Sequence, residues 1–537
     1  VETSQQKTLR FFFLGLFLIG FISRVLPLFL GESRIFEQFP TEDGYLMLTI
    51  ARYLALGFGM STADGTLITN GTQPFVTFIW SLGYLLTGGS KLGGVIFAHI
   101  IQVLVSIAFA WVIYKVAKKI FHRHSPIYAL GLSAVLFTSP QLLPHSMNFL
   151  ETGFYVFIIA CVIYVFYETE EEAATPWSIQ KSLLVGVLLG LMFWVRIDSV
   201  FIIFAACITY LYRGSDLGIS HIKQRFIRVL IFGATSVIIA SPWLIYNYIY
   251  FGSIMPISGQ AQNARMLAQN APVVPSTLLE YLLVFIPIPS SLQEKMPVIL
   301  FSTIAMLAAT AIAVKAFFKV EKPQKSLILM GLTTVVCFTI YYGIFFGAKH
   351  FVGRYFAATA PFLALFSLGM VIFLLHTIAE RSQALLKTGV AAFAVVIFAI
   401  EAGLNYRIFQ TGVPHAHIQV VNWVESHVPE DTWVAAVQTG TLGYFHDKTY
   451  NLDGKVNAEA LKAKHGEAYC PEDNVASEAN QNCLMYYIVQ SDIQYLADWS
   501  GLAGWAELPP LLDYFTLEVS DTKENLTVFK RKGAPSK

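Results

Sequence analysis

Two adjacent carboxylates, Glu42 and Asp43, stand in "FPTEDGYLMLTIARYLALGFGM" (39–60), just beyond an apolar run that ends near Leu30. Apolar segments usually meet water at Lys, Arg, Trp or Tyr rather than at a pair of acids. A carboxylate held at the lip of a bilayer can serve as general base toward a hydroxyl arriving from water, with the second reactant carried in the lipid. A plainer reading also accounts for the local pattern. Thr41 can cap a helix, and acids in the first turn suit its dipole. Leu46, Ile50, Tyr53, Leu54 and Phe58 then form the apolar stripe of a surface helix that Gly57 and Gly59 end. Partial burial of two neighbouring acids would raise the pKa of one member of a coupled pair.

Other ionisable residues stand at the ends of apolar runs. Glu151 opens "ETGFYVF", "VRIDS" carries Arg196 and Asp198, and "GQAQNARM" carries Asn263 and Arg265. "GAKHFVGRYF" adds Lys349, His350 and Arg354. Charges near hydrocarbon are costly and are functional candidates by default; the competing reading is a set of interfacial ion pairs that hold helices together. Arg196, Lys349, His350 and Arg354 suit a phosphate clamp, Arg by bidentate contact and Lys as a point charge. Such a clamp stabilises the negative charge that develops on a phosphate as it leaves. A base on one loop and a phosphate clamp on others is the constellation for transfer from a lipid phosphate.

The elements that position these residues follow from hydropathy. Hydrophobic residues make up 55% of the 537, charged residues only 13%, and mean hydropathy is +0.57. Soluble domains carry roughly 25% charged residues, so most of this chain is dissolved in lipid. A net charge of +1 argues against nucleic acid as a partner. The short acidic run "ETEEE" (168–172) reads as a solvated loop.

A spanning helix needs about 20 apolar residues. Runs at 11–30, 93–114, 126–143, 150–167, 182–196, 197–213, 229–249, 296–317, 326–346, 353–376 and 387–404 predict about eleven spans. The first follows Lys7 and Arg10 without a small-residue cleavage site and reads as a retained helix; Arg24 is expected to snorkel outward. With a cytoplasmic N-terminus, the basic clusters at 115–123, 213–228, 315–325 and 381–387 all fall inside. This holds only if "PFVTFIWSLGYLLTGG" (74–89) and "STLLEYLLVFIPIPSSL" (276–292) do not cross. The first external loop is then 31–92, and the acids and cations converge on the outer face.

Residues 1–404 thus form the membrane domain and 405–537 a soluble external domain. In the latter, helix-like "HIQVVNWVESHV" alternates with strand-like "TWVAAVQ", "KTYNLD" and "LTVFKRK", which predicts a small α/β fold. Cys470 and Cys483 suit a disulfide in an oxidising compartment.

"EDGYLMLTIARYLALGFGM" followed by "TNGTQPFVTFIWSLGYLL" resembles the first external loop of the GT-C glycosyltransferases. "MNFLETGFYVF", "VRIDSVF", "SIMPIS", "GRYFAATAPF" and "GYFHDKTYNLDGKVN" follow in the order of that family. The chain is most similar to its bacterial arabinofuranosyltransferase-like members. The resemblance implies a polytopic α-helical fold in a bacterial inner membrane, with catalysis on the periplasmic side. It implies a polyprenyl-phosphate-linked sugar donor, an inverting reaction, and a glycan or protein acceptor met by the C-terminal domain. Asp43 becomes the expected base, with Glu42 as the alternative or its hydrogen-bonding neighbour, because "ED" replaces the more common "DD" or "DE". Arg354, His350, Lys349 and Arg196 become the phosphate-binding set, and Glu151, Asp198, Asn70 and Gln73 the rest of the pocket.

No His/Cys ligand cluster is visible and no metal is expected, although carboxylates alone can hold a divalent ion. The rival reading is a transporter or flippase of an amphipathic solute. Such proteins usually show repeats and midplane sites, whereas here no repeat is visible and the charges lie at one face.

Overall fold

A computed structural model describes residues 4–213, 219–261, 267–412, 417–470 and 479–537. Among these, seven helices are long and apolar enough to cross a membrane: Gln6–Phe29, Lys91–Ile120, Ile219–Phe251, Met296–Lys319, Lys322–Phe345, Lys349–Ile378 and Gly389–Thr411. They carry seven of the eleven expected spans. The other four fall on shorter apolar helices: Pro126–Thr138, Thr152–Phe166, Ile179–Val195 and Ile197–Tyr212. A 13-residue helix such as Pro126–Thr138 rises about 20 Å, short of a ~30 Å hydrocarbon core.

The two sets differ in what surrounds them. Thr152–Phe166 is buried on nearly every side, so protein packs around it. The long helices turn Leu14, Leu18, Val237, Ile238, Phe301 and Leu307 outward, a surface that suits lipid tails. Pro74–Leu86 and Val274–Leu283 are 13 and 10 residues long.

Close packing aims the helix that ends at Arg196. Gly186 and Gly190 lie one turn apart on Ile179–Val195, where a Cβ would stand 2.5 Å from Thr235 Cβ and from Ile239 Cβ respectively. Small residues at this spacing let two backbones approach, so this helix and Ile219–Phe251 meet face to face.

Two sequence expectations change here. Arg24 is 2% exposed and turns inward, donating to the Gly20 carbonyl (3.0 Å) with its guanidinium over the Phe137 ring. An acceptor and an aromatic face inside the bundle replace snorkelling. The acidic run divides: Glu170–Ala173 is a short helical turn capped by Thr169, whereas Glu168 is buried and paired with Lys181 and Arg213.

The last membrane helix, Gln383–Thr411, continues past residue 404. Beyond it, among the described residues, lies a five-stranded sheet. A short hairpin of β1 (Ser61–Thr62) and β2 (Leu67–Ile68) precedes it in the first loop. The sheet strands are β3 (Val434–Ala436), β4 (Thr449–Asn451), β5 (Tyr495–Asp498), β6 (Phe515–Asp521) and β7 (Leu526–Arg531). Their order is β4-β3-β5-β7-β6, with β4, β3 and β5 parallel and β7 and β6 antiparallel. Alternate residues serve opposite faces. Val434, Ala436, Tyr495 and Val528 pack with Val420 and Val424, while Ala435, Leu496 and Phe529 pack with Ala460 and Ile488. Cys470 and Cys483 form a disulfide.

Candidate active site

The helix Glu42–Ala55 starts as its sequence requires: the Thr41 hydroxyl accepts from the Gly44 N–H at 3.3 Å. Gly44 is needed because a Cβ there would stand 2.2 Å from the Asn148 carbonyl oxygen. That contact ties the helix start to the segment leading into Glu151. The helix is not a surface element. Tyr45, Leu48, Ile50, Ala51 and Tyr53 are all 1% exposed or less, because it lies between the membrane helices and the C-terminal sheet domain.

Successive helical side chains diverge by about 100°, and the two acids therefore have different partners. The Glu42 carboxylate accepts from the N–H groups of Gly440 (2.8 Å) and Thr441 (3.1 Å) and from the Thr441 hydroxyl. Asp43 turns toward an open cavity. Its Oδ2 accepts from Arg354 Nη1 at 2.9 Å, and its Oδ1 lies 3.5 Å from Lys455 Nζ. Burial alone would push the Asp43 carboxyl up; Lys455 and then Arg354 overcome it and hold the group well below the usual carboxylate range. The expected coupled pair with one raised pKa is therefore not formed, since cations rather than the neighbouring acid face Asp43.

A second network borders the same cavity. Arg196 donates to Glu151 (2.5 Å), to Asp198 (2.8 Å) and to the Tyr342 hydroxyl (3.1 Å), while Tyr342 donates to Asp198. The Tyr355 ring stacks on Tyr342 at 4.7 Å and lies 4.4 Å from the Arg196 guanidinium and 5.1 Å from that of Arg354. Arg354 also donates to the Tyr355 hydroxyl at 3.3 Å. Among the described residues, its buried Nε has no hydrogen-bond partner.

The cavity thus unites Asp43, Gln73, Glu151, Arg196, Asp198 and Arg354. Four sequence candidates stand elsewhere. Glu42 serves the C-terminal domain, as above. Asn70 is a brace: its Nδ2 donates to Asn247 (3.1 Å) and its Oδ1 accepts from the Ile257 N–H (3.0 Å). Lys349 pairs with Glu294 at 2.7 Å, both well exposed. His350 is exposed and packs on the Phe351 ring, outside the residues that line the cavity. Asn263 and Arg265 lie outside the described residues.

Lys455 was not among the sequence candidates, although it sits in "GYFHDKTYNLDGKVN". A tight turn presents it. Asn451 Oδ1 accepts from the Gly454 N–H (3.0 Å) and Asp453 Oδ1 from the Lys455 N–H (2.8 Å), and Gly454 supplies the positive φ of +86°. The ammonium is 3.3 Å from Asp453 as well as near Asp43. Tyr342 and Tyr355 are two further cavity residues outside the set expected from sequence. Neither carries a local signal that separates it from the other tyrosines at helix ends.

The sequence resembles known families in two stretches. The family model described as dolichyl-phosphate-mannose-protein mannosyltransferase matches residues 72–246. A model described as a domain of unknown function, DUF8728, matches residues 405–529. No curated protein matches the sequence significantly. Among solved structures, ArnT from Cupriavidus metallidurans in the apo state aligns with TM-score 0.53 and 11% identity, over 98% of either chain. The oligosaccharyltransferase of Archaeoglobus fulgidus in the apo form aligns with TM-score 0.51 and 12% identity, over 94% of this chain and 73% of that one. The same organism's oligosaccharyltransferase AglB, in complex with an inhibitory peptide and a dolichol-phosphate, aligns with TM-score 0.50 and 12% identity, over 95% and 73%. At these identities the likeness is one of fold: the chain shares its fold with ArnT and with the oligosaccharyltransferase.

Proposed function

We propose that the protein is an integral-membrane glycosyltransferase that moves one monosaccharide from a polyprenyl-monophosphate donor to a hydroxyl of a cell-envelope glycan or protein. The observation that carries this reading is a carboxylate, Asp43, held between Arg354 and Lys455 in an open cavity bordered by membrane helices. The fold shared with ArnT and with an oligosaccharyltransferase solved with dolichol-phosphate supports a lipid phosphate as the carrier. So does the mannosyltransferase model over residues 72–246.

Asp43 takes the proton of the acceptor hydroxyl as its oxygen bonds to the anomeric carbon. The bond from that carbon to the phosphate oxygen breaks, and the lipid monophosphate departs with the electron pair. Attack opposite the leaving group inverts the anomeric centre. Arg354 meets the charge that grows on the phosphate, and Tyr355 keeps its guanidinium in place by stacking. Arg196 is fully engaged by Glu151, Asp198 and Tyr342, so its part is to shape the sugar end of the cavity with them.

Purified protein incubated with polyprenyl-phosphate sugars should release polyprenyl phosphate, detected by mass spectrometry, when a hydroxylated acceptor is present. A panel that includes the arabinofuranose donor identifies the sugar. Movement of lipid-linked sugar across vesicles with no release would instead favour a flippase.

A further inference from the structure

Two glycines where the C-terminal domain meets the first external loop leave no room for a side chain. A Cβ on Gly440 would stand 1.8 Å from the Glu42 carbonyl oxygen, and one on Gly71 2.0 Å from the Lys455 carbonyl oxygen. Backbones that approach so closely cannot slide. Around them the same segment is tied down repeatedly. The hydroxyls of Tyr444 and Tyr84 are 2.9 Å apart, and Asp447 pairs with Arg52 (3.1 Å) and Lys91 (3.2 Å). The Glu42 carboxylate holds the N–H groups of Gly440 and Thr441. Asp43 lies between these contacts and receives Lys455.

The charges of the cavity give this docking a purpose. Asp43, Glu151 and Asp198 face Arg196, Arg354 and Lys455, a neutral set in which Arg196 is engaged by two acids. Without Lys455 the set is net negative, and an arriving phosphate would find Arg354 alone. The Lys455 contacts of 3.5 Å to Asp43 and 3.3 Å to Asp453 are longer than a good charge-assisted hydrogen bond, so they exchange readily for a phosphate oxygen.

We infer that the C-terminal domain is part of the donor site. Lys455 is its second phosphate-binding cation, and Glu42 is a positioning residue that latches segment 440–455 so that Lys455 reaches the cavity. This rests on the donor reading above and extends it to residues of the other domain.

The test is binding of a short-chain isoprenyl monophosphate to the purified full chain by titration calorimetry. Lys455→Met should weaken binding about 10- to 100-fold, the range for a lost hydrogen bond to a charged group, and Lys455→Arg should restore most of it. Lys462→Met, at an exposed lysine paired with Glu459, should bind as wild type does. Gly440→Ala keeps Lys455 but cannot seat against Glu42, and should weaken binding to a similar degree. The double variant should then bind no more weakly than Lys455→Met, because both changes remove one contact; additive losses would assign Gly440 a merely structural part and overturn the latch. Should Gly440→Ala fail to fold, Lys455→Met decides alone. Wild-type affinity in Lys455→Met overturns this inference and leaves the donor reading standing. No binding by the wild-type protein overturns both.

Discussion

Oδ2 of Asp43 lies 2.9 Å from Nη1 of Arg354 although 311 residues of chain separate them. With Lys455 on the other oxygen, the carboxylate is held ionised but engaged. A base so quenched is weak until something competes for its cations. In the proposed reaction the donor phosphate does so, so the carboxylate regains basicity only when donor is bound.

Asp43→Asn keeps the side-chain shape and removes the base. Turnover of a lipid-linked sugar should fall by about 10²–10⁴-fold, with a smaller change in donor KM. Steady-state release of polyprenyl phosphate measures both. Full turnover in this variant would reduce the residue to an ion-pair partner.

The pH profile of kcat/KM reports the free protein. Because Lys455 and Arg354 depress the Asp43 pKa, its acid limb should be absent down to about pH 5. Arg354→Ala removes one of those cations, so the folded pKa rises and the limb moves toward neutrality. An unmoved limb would separate the titration from Asp43.

The two cations of "GAKHFVGR" should behave differently. Arg354→Ala loses charge-assisted contacts worth about 1.5–3 kcal/mol and should raise donor KM more than ten-fold. Lys349→Ala breaks only an exposed pair with Glu294, a kind worth about 0–1 kcal/mol, and should leave KM within about two-fold. Parallel kinetics of the two variants decide which one meets the phosphate.

Arg196→Met should act on stability as well as turnover. It leaves Glu151 and Asp198 buried without their cation, and breaking such a pair costs about 3–5 kcal/mol. Thermal unfolding in detergent should show a large drop, partly recovered by adding Glu151→Gln. An unchanged midpoint would mean that water reaches these acids.

Asp498 ends β5 and accepts from the N–H groups of Val437 (2.7 Å) and Trp499 (2.8 Å). Burial outweighs these bonds, Glu42 adds to it, and the carboxyl is raised to about 7. An acid whose folded pKa is raised contributes stability below its unfolded value of ~3.9 that is lost as pH rises through the folded one. Unfolding midpoints should therefore decline between about pH 4 and pH 7, and Asp498→Asn should flatten that decline. An identical slope in the variant would place the titration elsewhere.

The order of residues along the chain was enough to identify a membrane protein, to locate its apolar helices, and to single out Asp43, Glu151, Arg196, Asp198 and Arg354, which line one cavity. Hydropathy accumulates along a run of about 20 residues, and a charge at the end of such a run is costly wherever the run packs; both are local properties. That Glu42 faces away from Asp43, that Lys349 turns to Glu294, and that Arg24 points inward against Phe137 depends instead on which segments pack together. Strands β5 and β6 likewise lay outside the strand-like patterns seen in the sequence: β5 is only four residues long between β3 and β7, and β6 is an edge strand exposed over most of its length. Lys455 reaches Asp43 across 412 residues, and Glu42 meets Gly440 across 398. Those pairings depend on which backbones come within contact distance, and no window of sequence short enough to read for periodicity contains both partners.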